Sequence, residues 1–503
     1  MRVSSLRDSG ASALQRLPLL PIAGAALLAV VAVAAGPAVL TMAVIGAAGA
    51  ALIAARPQWG VAIILTTLMV QYGNRRYERE GFAGLASLVP AGSGLFTVNN
   101  MLGLFLALLL VYQLYRDGDW SFLHSRPLQL MALITAVFAL AGFMSGIEPA
   151  DFADVGLMST VGQDPVRLLV SRGLFLVLFV FFIRRPSDLR MMVGVFVFLA
   201  LLTAWSGTGA AITGSGRPEI ADYRAGGTEV LIQSSQNPNR LALVSTIALV
   251  MIWEFAQSER MKRWRPAAIA AALLFVLTVF LSASRGGLIG MSIAGVLLFA
   301  RRRGGSGRFV YGAIAALVGT LLIGEIVPQE AFERLSNIPG LSSNDGGSDA
   351  GEGSVQRRAY TYRLGFDLWA KAPLIGVGPG NWPLVRFLND PLRSAAAPHS
   401  SYMQALVEGG LAAFVLYIVL FYTTLRDLWR CEASPQVMAQ AEHDGIDWLL
   451  AATRICLLTF MIFSLFADLW DLVFAYFLLG LAAVLIQRYL PLANAPQGME
   501  QYA

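Results

Sequence analysis

The sequence has little charge and very few cysteines or histidines. Only 14% of its 503 residues are charged, whereas a soluble globular domain carries about 25%. Together with 56% hydrophobic residues and a mean hydropathy of +0.62, this low charge excludes an ordinary soluble protein. The two cysteines, Cys431 and Cys456, provide no disulfide framework. Both lie in or near segments assigned below to the cytoplasmic side, which argues against a bridge between them.

Long apolar runs take the place of charge in this sequence. A bilayer has a hydrocarbon core about 30 Å thick, which roughly 20 apolar residues in a helix can cross. The pattern therefore predicts an all-α, polytopic membrane protein with 12–14 spans. The runs are 18–35, 37–55, 59–72, 98–115, 128–146, 166–183, 190–206, 239–257, 267–283, 287–300, 309–327, 400–425, 448–466 and 472–487. The short runs 59–72 and 287–300 are candidates for tilted or re-entrant pieces. The first run is expected to be an uncleaved span, because another apolar run follows it directly.

Basic residues alternate between the loops and predict the orientation. If the N-terminus is cytoplasmic, every loop on that side carries arginine, from Arg56 to Arg488, while loop 147–165 and turn 467–471 on the other side are acidic. Since basic loops stay on the cytoplasmic side, we expect both termini in the cytoplasm of a bacterial inner-membrane protein. This distribution accounts for the net charge of +5 without a nucleic-acid partner.

Three outer segments break the alternation because they carry basic residues. They are 75–79, 207–238 and the long loop 328–398, which contains six arginines and one lysine. Positive charge on the outer face opposes the orientation rule, so a separate requirement must hold it there. An anionic ligand at the outer leaflet is the simplest such requirement.

The first chemistry-bearing segment is Ser282–Gly287, at the outer junction of two predicted spans. Its small residues allow a tight turn, and Arg285 lies at or just inside the membrane boundary. An arginine within a membrane is costly unless it is paired or faces a polar cavity, and it marks a functional site by default. The alternative is an arginine that only anchors its helix at the interface. The segment alone leaves both interpretations open.

The second segment is the stretch 354–382 of the long loop. Its pattern predicts a helix from about 355 to 370, in which aromatic residues are interleaved with arginines that include Arg358 and Arg363. A basic aromatic helix can lie in the headgroup plane, with or without a catalytic part. The glycine-rich run after it does not qualify as a phosphate-binding loop, because no strand–turn–helix unit surrounds it.

The third segment is Pro398–Tyr402, which opens the span at 400–425. His124 and His443 fall in predicted cytoplasmic loops, so His399 is the only outer histidine. It is expected at a helix N-terminus facing arginines, and both features favour a neutral imidazole. Neutral imidazole can act as a general base, although a lone histidine is more often structural. No metal-ligand pattern is present in the outer segments, because their acidic loop has no histidine or cysteine partner.

Together these segments resemble the O-antigen ligase and polymerase superfamily of membrane glycosyltransferases, over about 230–415. Two departures from the family pattern are Ser400 in place of the commoner asparagine, and 14 spans in place of about twelve. The similar elements are the Pro-Asn turn at Gln236–Asn239, the Ser-x-Ser-Arg-Gly element at Ser282–Gly286, the loop arginine at Arg358 with Pro373–Gly378, the His-Asn/Ser-x-Tyr element at His399–Tyr402, and the Glu-x-Gly element at Glu408–Gly410.

The resemblance implies an architecture and a chemistry. It implies a GT-C-like fold with N-terminal spans at 1–230, a catalytic membrane region at 231–425 that contains the periplasmic loop 328–398, and C-terminal spans at 426–503. It also implies a glycan on undecaprenyl diphosphate as donor, attacked at its anomeric carbon by an acceptor sugar hydroxyl, with no metal and no cofactor. The implied site residues are His399 as catalytic base, Arg285, Arg358 and Arg363 on the diphosphate, and Asn239, Ser284, Tyr402 and Glu408 in support.

Two products fit this family, and a third function comes from another class. A polymerase passes the glycan to a lipid-linked repeat unit, with a chain-length regulator as a further candidate partner, whereas a ligase passes it to lipid A–core. The extra length and spans favour the polymerase of O-antigen or exopolysaccharide. A lipid or solute transporter would also have many spans, but transporters commonly contain inverted repeats, and none is evident in this sequence.

Overall fold

The computed structural model describes residues 48–71, 98–147, 151, 165–213, 238–282, 284–301, 349–390, 398–469 and 472–495. Within these ranges the chain forms helices joined by turns, and none of the described residues is in a strand. The chain divides into two compact units, 1–61 and 62–503. The second unit contains every segment that the sequence singled out for chemistry.

The apolar runs that fall within the described residues are helical, which confirms the all-α polytopic prediction. The runs 18–35 and 309–327 and most of 37–55 lie outside the described residues, so the number of 12–14 spans stays a prediction. The helices are α1 Pro57–Gln71, α2 Val98–Asp117, α3 Arg126–Ser145, α4 Pro165–Phe182, α5 Pro186–Thr213, α6 Pro238–Gln257, α7 Arg265–Leu281, α8 Arg285–Ala300, α9 Asp349–Lys371, α10 Trp382–Asn389, α11 Ser401–Ala433, α12 Pro435–Asp444, α13 Asp447–Phe463 and α14 Val473–Ala493.

Several of these helices can cross a bilayer. Within the described ranges six are long and apolar enough, namely α3, α5, α6, α7 with the turn before it, α11 and α14, and the number rises to eight if two bent pairs each count as one span. The apolar helices α4 and α8 are shorter. Helix α6 packs against α7, α8 and α13, while α11 packs against α3, α13 and α14. Both groups pack against α13. The first residues of α6, α8 and α11 therefore lie near one another.

One end of the bundle is closed by buried ion pairs, which we call the charged end. Arg301, just after α8, binds the carboxylates of Glu254 in α6 and Glu432 in α11, the latter at 2.8 Å. Arg454 in α13 binds the other oxygen of Glu432 at 2.7 Å. Since α8 has 16 residues and rises about 1.5 Å per residue, its first residue lies about 24 Å from this layer. The segment at Ser284 is therefore at the opposite end of the bundle.

Helix α11 is broken at Gly410, and another segment completes its hydrogen bonds. Gly410 has φ 65° and ψ −169°, so the helical bonds of the next two amides are lost. The N–H groups of Leu411 and Ala412 instead donate to the carbonyls of Pro373 and Leu374, at 2.8 and 3.3 Å. The carbonyls of Val407 and Glu408 then accept hydrogen bonds from the N–H groups of Val377 and Gly378, at 2.9 and 3.0 Å. The segment 373–378 thus provides hydrogen-bond partners for backbone N–H and C=O groups that apolar surroundings would leave unpaired.

Glycine is required where this segment crosses the break. A Cβ atom on Gly410 would lie 2.4 Å from the backbone carbon and oxygen of Leu374, and one on Gly376 would lie 2.5 Å from the Gly410 nitrogen. Both residues also have positive φ, and the conformation of Gly410 is one that glycine alone adopts readily. The resemblance placed both glycines in family motifs. Their physical role here is to let two backbones meet.

We expect Gly410→Ala to lower the stability of the protein. Backbone strain of about 1–3 kcal/mol adds to an overpacking cost of about 1–3 kcal/mol, so the thermal unfolding temperature in detergent should fall by several degrees. The matched control is Gly295→Ala in α8, where an added Cβ meets nothing within 4 Å. Equal unfolding temperatures for the two variants would contradict this account of the break.

Candidate functional site

Ser284 and Asn239 are joined by a hydrogen bond at the start of two helices. Ser284 is the N-cap of α8, and its Oγ accepts from the backbone N–H of Gly287 at 2.9 Å. The same hydroxyl donates to Oδ1 of Asn239, the second residue of α6. A Cβ on Gly287 would lie 2.4 Å from Cβ of Ala242, so glycine allows this close approach. Two of the sequence motifs therefore form one unit.

Arg285 is the first residue of α8 and follows this capped turn. Its backbone is helical, while its side chain lies outside the described part of the structure. The neighbouring Gly286 lies beneath Phe466, whose Cβ would be 3.3 Å from a Cβ added to that glycine. The start of α8 is thus in contact with the turn 464–469 after α13. This turn contains Asp468, which contacts the other residues of the site.

His399 precedes α11 in an unusual backbone conformation. Its φ is 54°, and no other non-glycine residue in the described ranges has a positive φ. Histidine tolerates this region better than most residues, but such conformations need support from their surroundings and occur often at functional sites. The next residue, Ser400, is the N-cap of α11 and accepts from the N–H of Met403 at 3.4 Å. The imidazole is half exposed, so a substrate can reach it.

Asp468 supports the backbone at His399 and faces its ring. The carboxylate accepts the backbone N–H groups of His399 at 3.3 Å and Ser400 at 3.0 Å. Its Oδ2 also lies 3.9 Å from Nδ1 of the imidazole. Ser401 fixes the same turn, because its Oγ donates to Ala467 and accepts from the N–H of Leu469. From the sequence, Asp468 was predicted only as an acidic residue of an outer turn, and its pairing with His399 was not predicted.

Arg240 connects the two halves of the site. It follows Asn239 in α6, and its Nη2 donates to the backbone carbonyl of Asp468 at 3.1 Å. The unit of Asn239 and Ser284 and the unit of His399 and Asp468 are therefore neighbours in space. Arg240 was not among the site residues predicted from the sequence. It could have been predicted, because an arginine follows the Pro-Asn turn directly in a segment predicted to open a span from the outer side.

Tyr402 and Glu408 have packing roles in this structure. The hydroxyl of Tyr402 donates to the carbonyl of Met461 at 3.0 Å, and its ring packs edge-on against Tyr417. Glu408 is 1% exposed, and its carboxylate accepts from the N–H of Trp382 and from the side chain of Gln404, at 3.3 and 3.2 Å. Both side chains connect α11 to its neighbours, and a supporting role for them in catalysis stays a prediction.

Helix α9 is attached to the same turn by its aromatic residues. The hydroxyl of Tyr362 donates to the carbonyl of Leu465 at 2.8 Å. Arg358 lies four positions earlier in α9, and residues at this spacing share a helix face, although its side chain is outside the described part. The side chain of Arg363 is exposed on another part of the helix. Arg358 thus shares the helix face of Tyr362, whereas Arg363 does not.

A second contact holds the outer part of α9 against α10. Tyr360 Oη donates to Oδ1 of Asp390 at 3.1 Å. Desolvation and this hydrogen bond raise the pKa of Tyr360, so the phenol stays a donor. Arg386, which is buried, donates to the other oxygen of Asp390 at 3.4 Å. The hydrogen bond between Tyr360 and Asp390 therefore holds α9 against α10 at a position two residues after Arg358.

The arrangement combines a half-exposed imidazole, a carboxylate 3.9 Å from its Nδ1 and the guanidinium of Arg240 at the start of α6. The carboxylate holds the backbone that carries the imidazole, and it can stabilise the ring after the ring has accepted a proton. Arginines bind phosphate oxygens through paired hydrogen bonds and stay charged. The site can therefore deprotonate a hydroxyl next to an anionic group.

Comparison with known proteins identifies one similar family. Residues 270–418 match the family model described as O-antigen ligase. The match begins within α7 and ends within α11, so it contains Ser284, Arg285, Arg358 and His399. A search of curated proteins finds no significant match.

Proposed function

We propose that this member of the O-antigen ligase superfamily is a membrane glycosyltransferase that transfers a glycan from a polyprenyl diphosphate to an acceptor sugar hydroxyl. The observation that carries the proposal is the constellation of His399, Asp468 and Arg240 beside the capped turn at Ser284 and Arg285. His399, Ser284 and Arg285 fall inside the matched region, whereas Asp468 and Arg240 lie outside it. The chemistry of these groups suits a diphosphate leaving group beside a hydroxyl nucleophile.

The reaction follows from these groups. The acceptor hydroxyl attacks the anomeric carbon of the donor, a new glycosidic C–O bond forms, and the bond from that carbon to the diphosphate oxygen breaks. The proton of the hydroxyl passes to the imidazole of His399, which Asp468 orients and stabilises. The diphosphate leaves with the bonding electron pair, and Arg285 and Arg358 neutralise its charge. No group needs to protonate the diphosphate.

We place this reaction at the periplasmic face of the bacterial inner membrane. The support is the loop-charge pattern together with the structure: the charged end contains Arg301, which the sequence assigns to the cytoplasm, and Ser284 lies at the opposite end of the bundle. Lipid-linked glycans are consumed on a face where nucleotides are scarce, which suits a donor that carries its own leaving group.

The acceptor decides between two products, and we favour a lipid-linked repeat unit over lipid A–core. In proteoliposomes that contain the purified protein and only the undecaprenyl-diphosphate repeat unit, we expect a ladder of longer lipid-linked glycans on gels. The control uses the His399→Gln variant in the same vesicles.

The outcomes of this experiment separate the candidates. Product that appears only when lipid A–core is added would identify a ligase instead of a polymerase. Movement of the lipid-linked unit across the vesicle membrane without any new glycosidic bond would identify a transporter. A ladder whose length distribution changes on addition of a co-expressed membrane protein would point to a chain-length regulator.

A further inference from the structure

The turn after α9 lies beside the lipid-facing surface of α11. Leu411, Val415, Ile418 and Tyr422 are exposed by 36–64% and follow one another at spacings of three or four residues, so they form a stripe on one helix face. The carbonyl of Leu374 accepts a hydrogen bond from the backbone N–H of Ala412, the residue after Leu411. Leu374 is therefore adjacent to the first residue of this stripe.

The depth of this turn can be estimated along α11. Leu411 follows the break at Gly410, and Arg430 lies 19 positions later in the same helix, which corresponds to about 29 Å. The hydrocarbon core of a bilayer is about 30 Å thick. With Arg430 at one headgroup layer, Leu411 and the adjacent Leu374 lie at the other boundary of the hydrocarbon.

Large apolar side chains near this turn are exposed. Leu374 is 69% exposed, Leu388 at the end of α10 is 64% exposed, and Phe366 in α9 is 53% exposed. The ends of the two helices are tied together, because Lys371 Nζ donates to Asn389 Oδ1 at 2.5 Å. Lys371 is itself exposed, so a cation lies among the apolar side chains.

We propose that Phe366, Leu374 and Leu388 form a membrane-seated foot, which attaches the outer helices α9 and α10 to the outer leaflet. Its partner is a lipid surface, because Leu374 continues the lipid-facing stripe of α11 at the boundary of the hydrocarbon. Exposed Lys371 adds attraction to anionic headgroups, as in other interfacial helices. The inference is independent of the proposed reaction, since it concerns only where this surface lies.

A fluorophore at position 374 tests the foot. Leu374→Cys is labelled with an environment-sensitive dye and reconstituted in vesicles of phosphatidylethanolamine and phosphatidylglycerol. We expect blue-shifted emission, strong quenching by lipids with a nitroxide near the headgroup end of the acyl chain, and weak quenching by iodide. The matched control is Ala359→Cys, which is also exposed but lies 12 positions before the end of α9, a rise of about 18 Å.

The control site should show the opposite pattern, with strong quenching by iodide and little by lipid. The parent chain, whose two cysteines are buried, gives the labelling background. Equal iodide quenching at positions 374 and 359 would overturn the proposal by placing the foot in water. Protection of position 374 from both quenchers would overturn it as well, because a protein partner or a second copy would then cover the patch.

Discussion

Replacement of His399 by glutamine is expected to lower the rate of glycan transfer by about 10²–10⁴-fold, the usual contribution of a positioned general base. Glutamine keeps a hydrogen-bond donor but cannot accept the hydroxyl proton. Donor binding should stay close to the unmodified level, because the proposed diphosphate ligands are arginines. The measurement is the initial rate of product formation in proteoliposomes, with donor binding determined separately.

Two further variants sharpen this experiment. Asp468→Asn keeps a side-chain oxygen for the backbone amides of His399 and Ser400 but removes the charge that stabilises a protonated imidazole, so it should also slow transfer. His443→Gln is the control, since its side chain is 84% exposed on α12 and lies far along the chain from the site. Transfer by His399→Gln at near the unmodified rate would show that this histidine only supports the start of α11.

Lysine at Arg285 or Arg358 is expected to weaken the interaction with the donor by about 1.5–3 kcal/mol per site, or roughly 10–150-fold in kcat/KM. Lysine retains the positive charge, but it lacks the planar fork that binds two phosphate oxygens at once. The loss should therefore be present in both variants despite the conserved charge. Steady-state kinetics with a lipid-linked donor measure it directly.

Arg363→Lys provides the comparison for Arg358, because both residues lie on α9 and the side chain of Arg363 is exposed. The sequence predicted Arg363 as one of the diphosphate ligands, whereas in the structure it is Arg358 that shares a helix face with Tyr362. We therefore expect Arg363→Lys to retain most of its activity. Unchanged kinetics in the Arg285 and Arg358 variants would mean that these arginines only anchor their helices.

The helices were predictable from the sequence because length and hydropathy decide whether a segment can cross a membrane. The pairing of Asn239 with Ser284 was predictable only as membership of the same site, because the resemblance placed both residues in family motifs. The sequence pattern itself singled out His399 and the arginines, and the resemblance implied their roles. None of these arguments required knowledge of how the helices pack.

Asp468 and the break in α11 depend on packing, which is why the sequence did not reveal their roles. Asp468 lies 69 positions after His399, in a turn of five residues between two apolar helices, and hydropathy gives no information about its partner. The break at Gly410 falls inside a continuous apolar run, so the pattern predicts one uninterrupted helix. Only the contact with Pro373 and Leu374 shows where the missing hydrogen bonds are made.

The exchange of backbone bonds at Gly410 has a consequence for assembly. Helix α11 cannot satisfy the carbonyls of Val407 and Glu408 by itself, and a buried polar group left without a partner costs about 1–3 kcal/mol. The segment 373–378 depends on α11 in the same way, because the N–H groups of Val377 and Gly378 donate to those two carbonyls. Each segment therefore completes the backbone hydrogen bonds of the other, and neither reaches its final conformation alone.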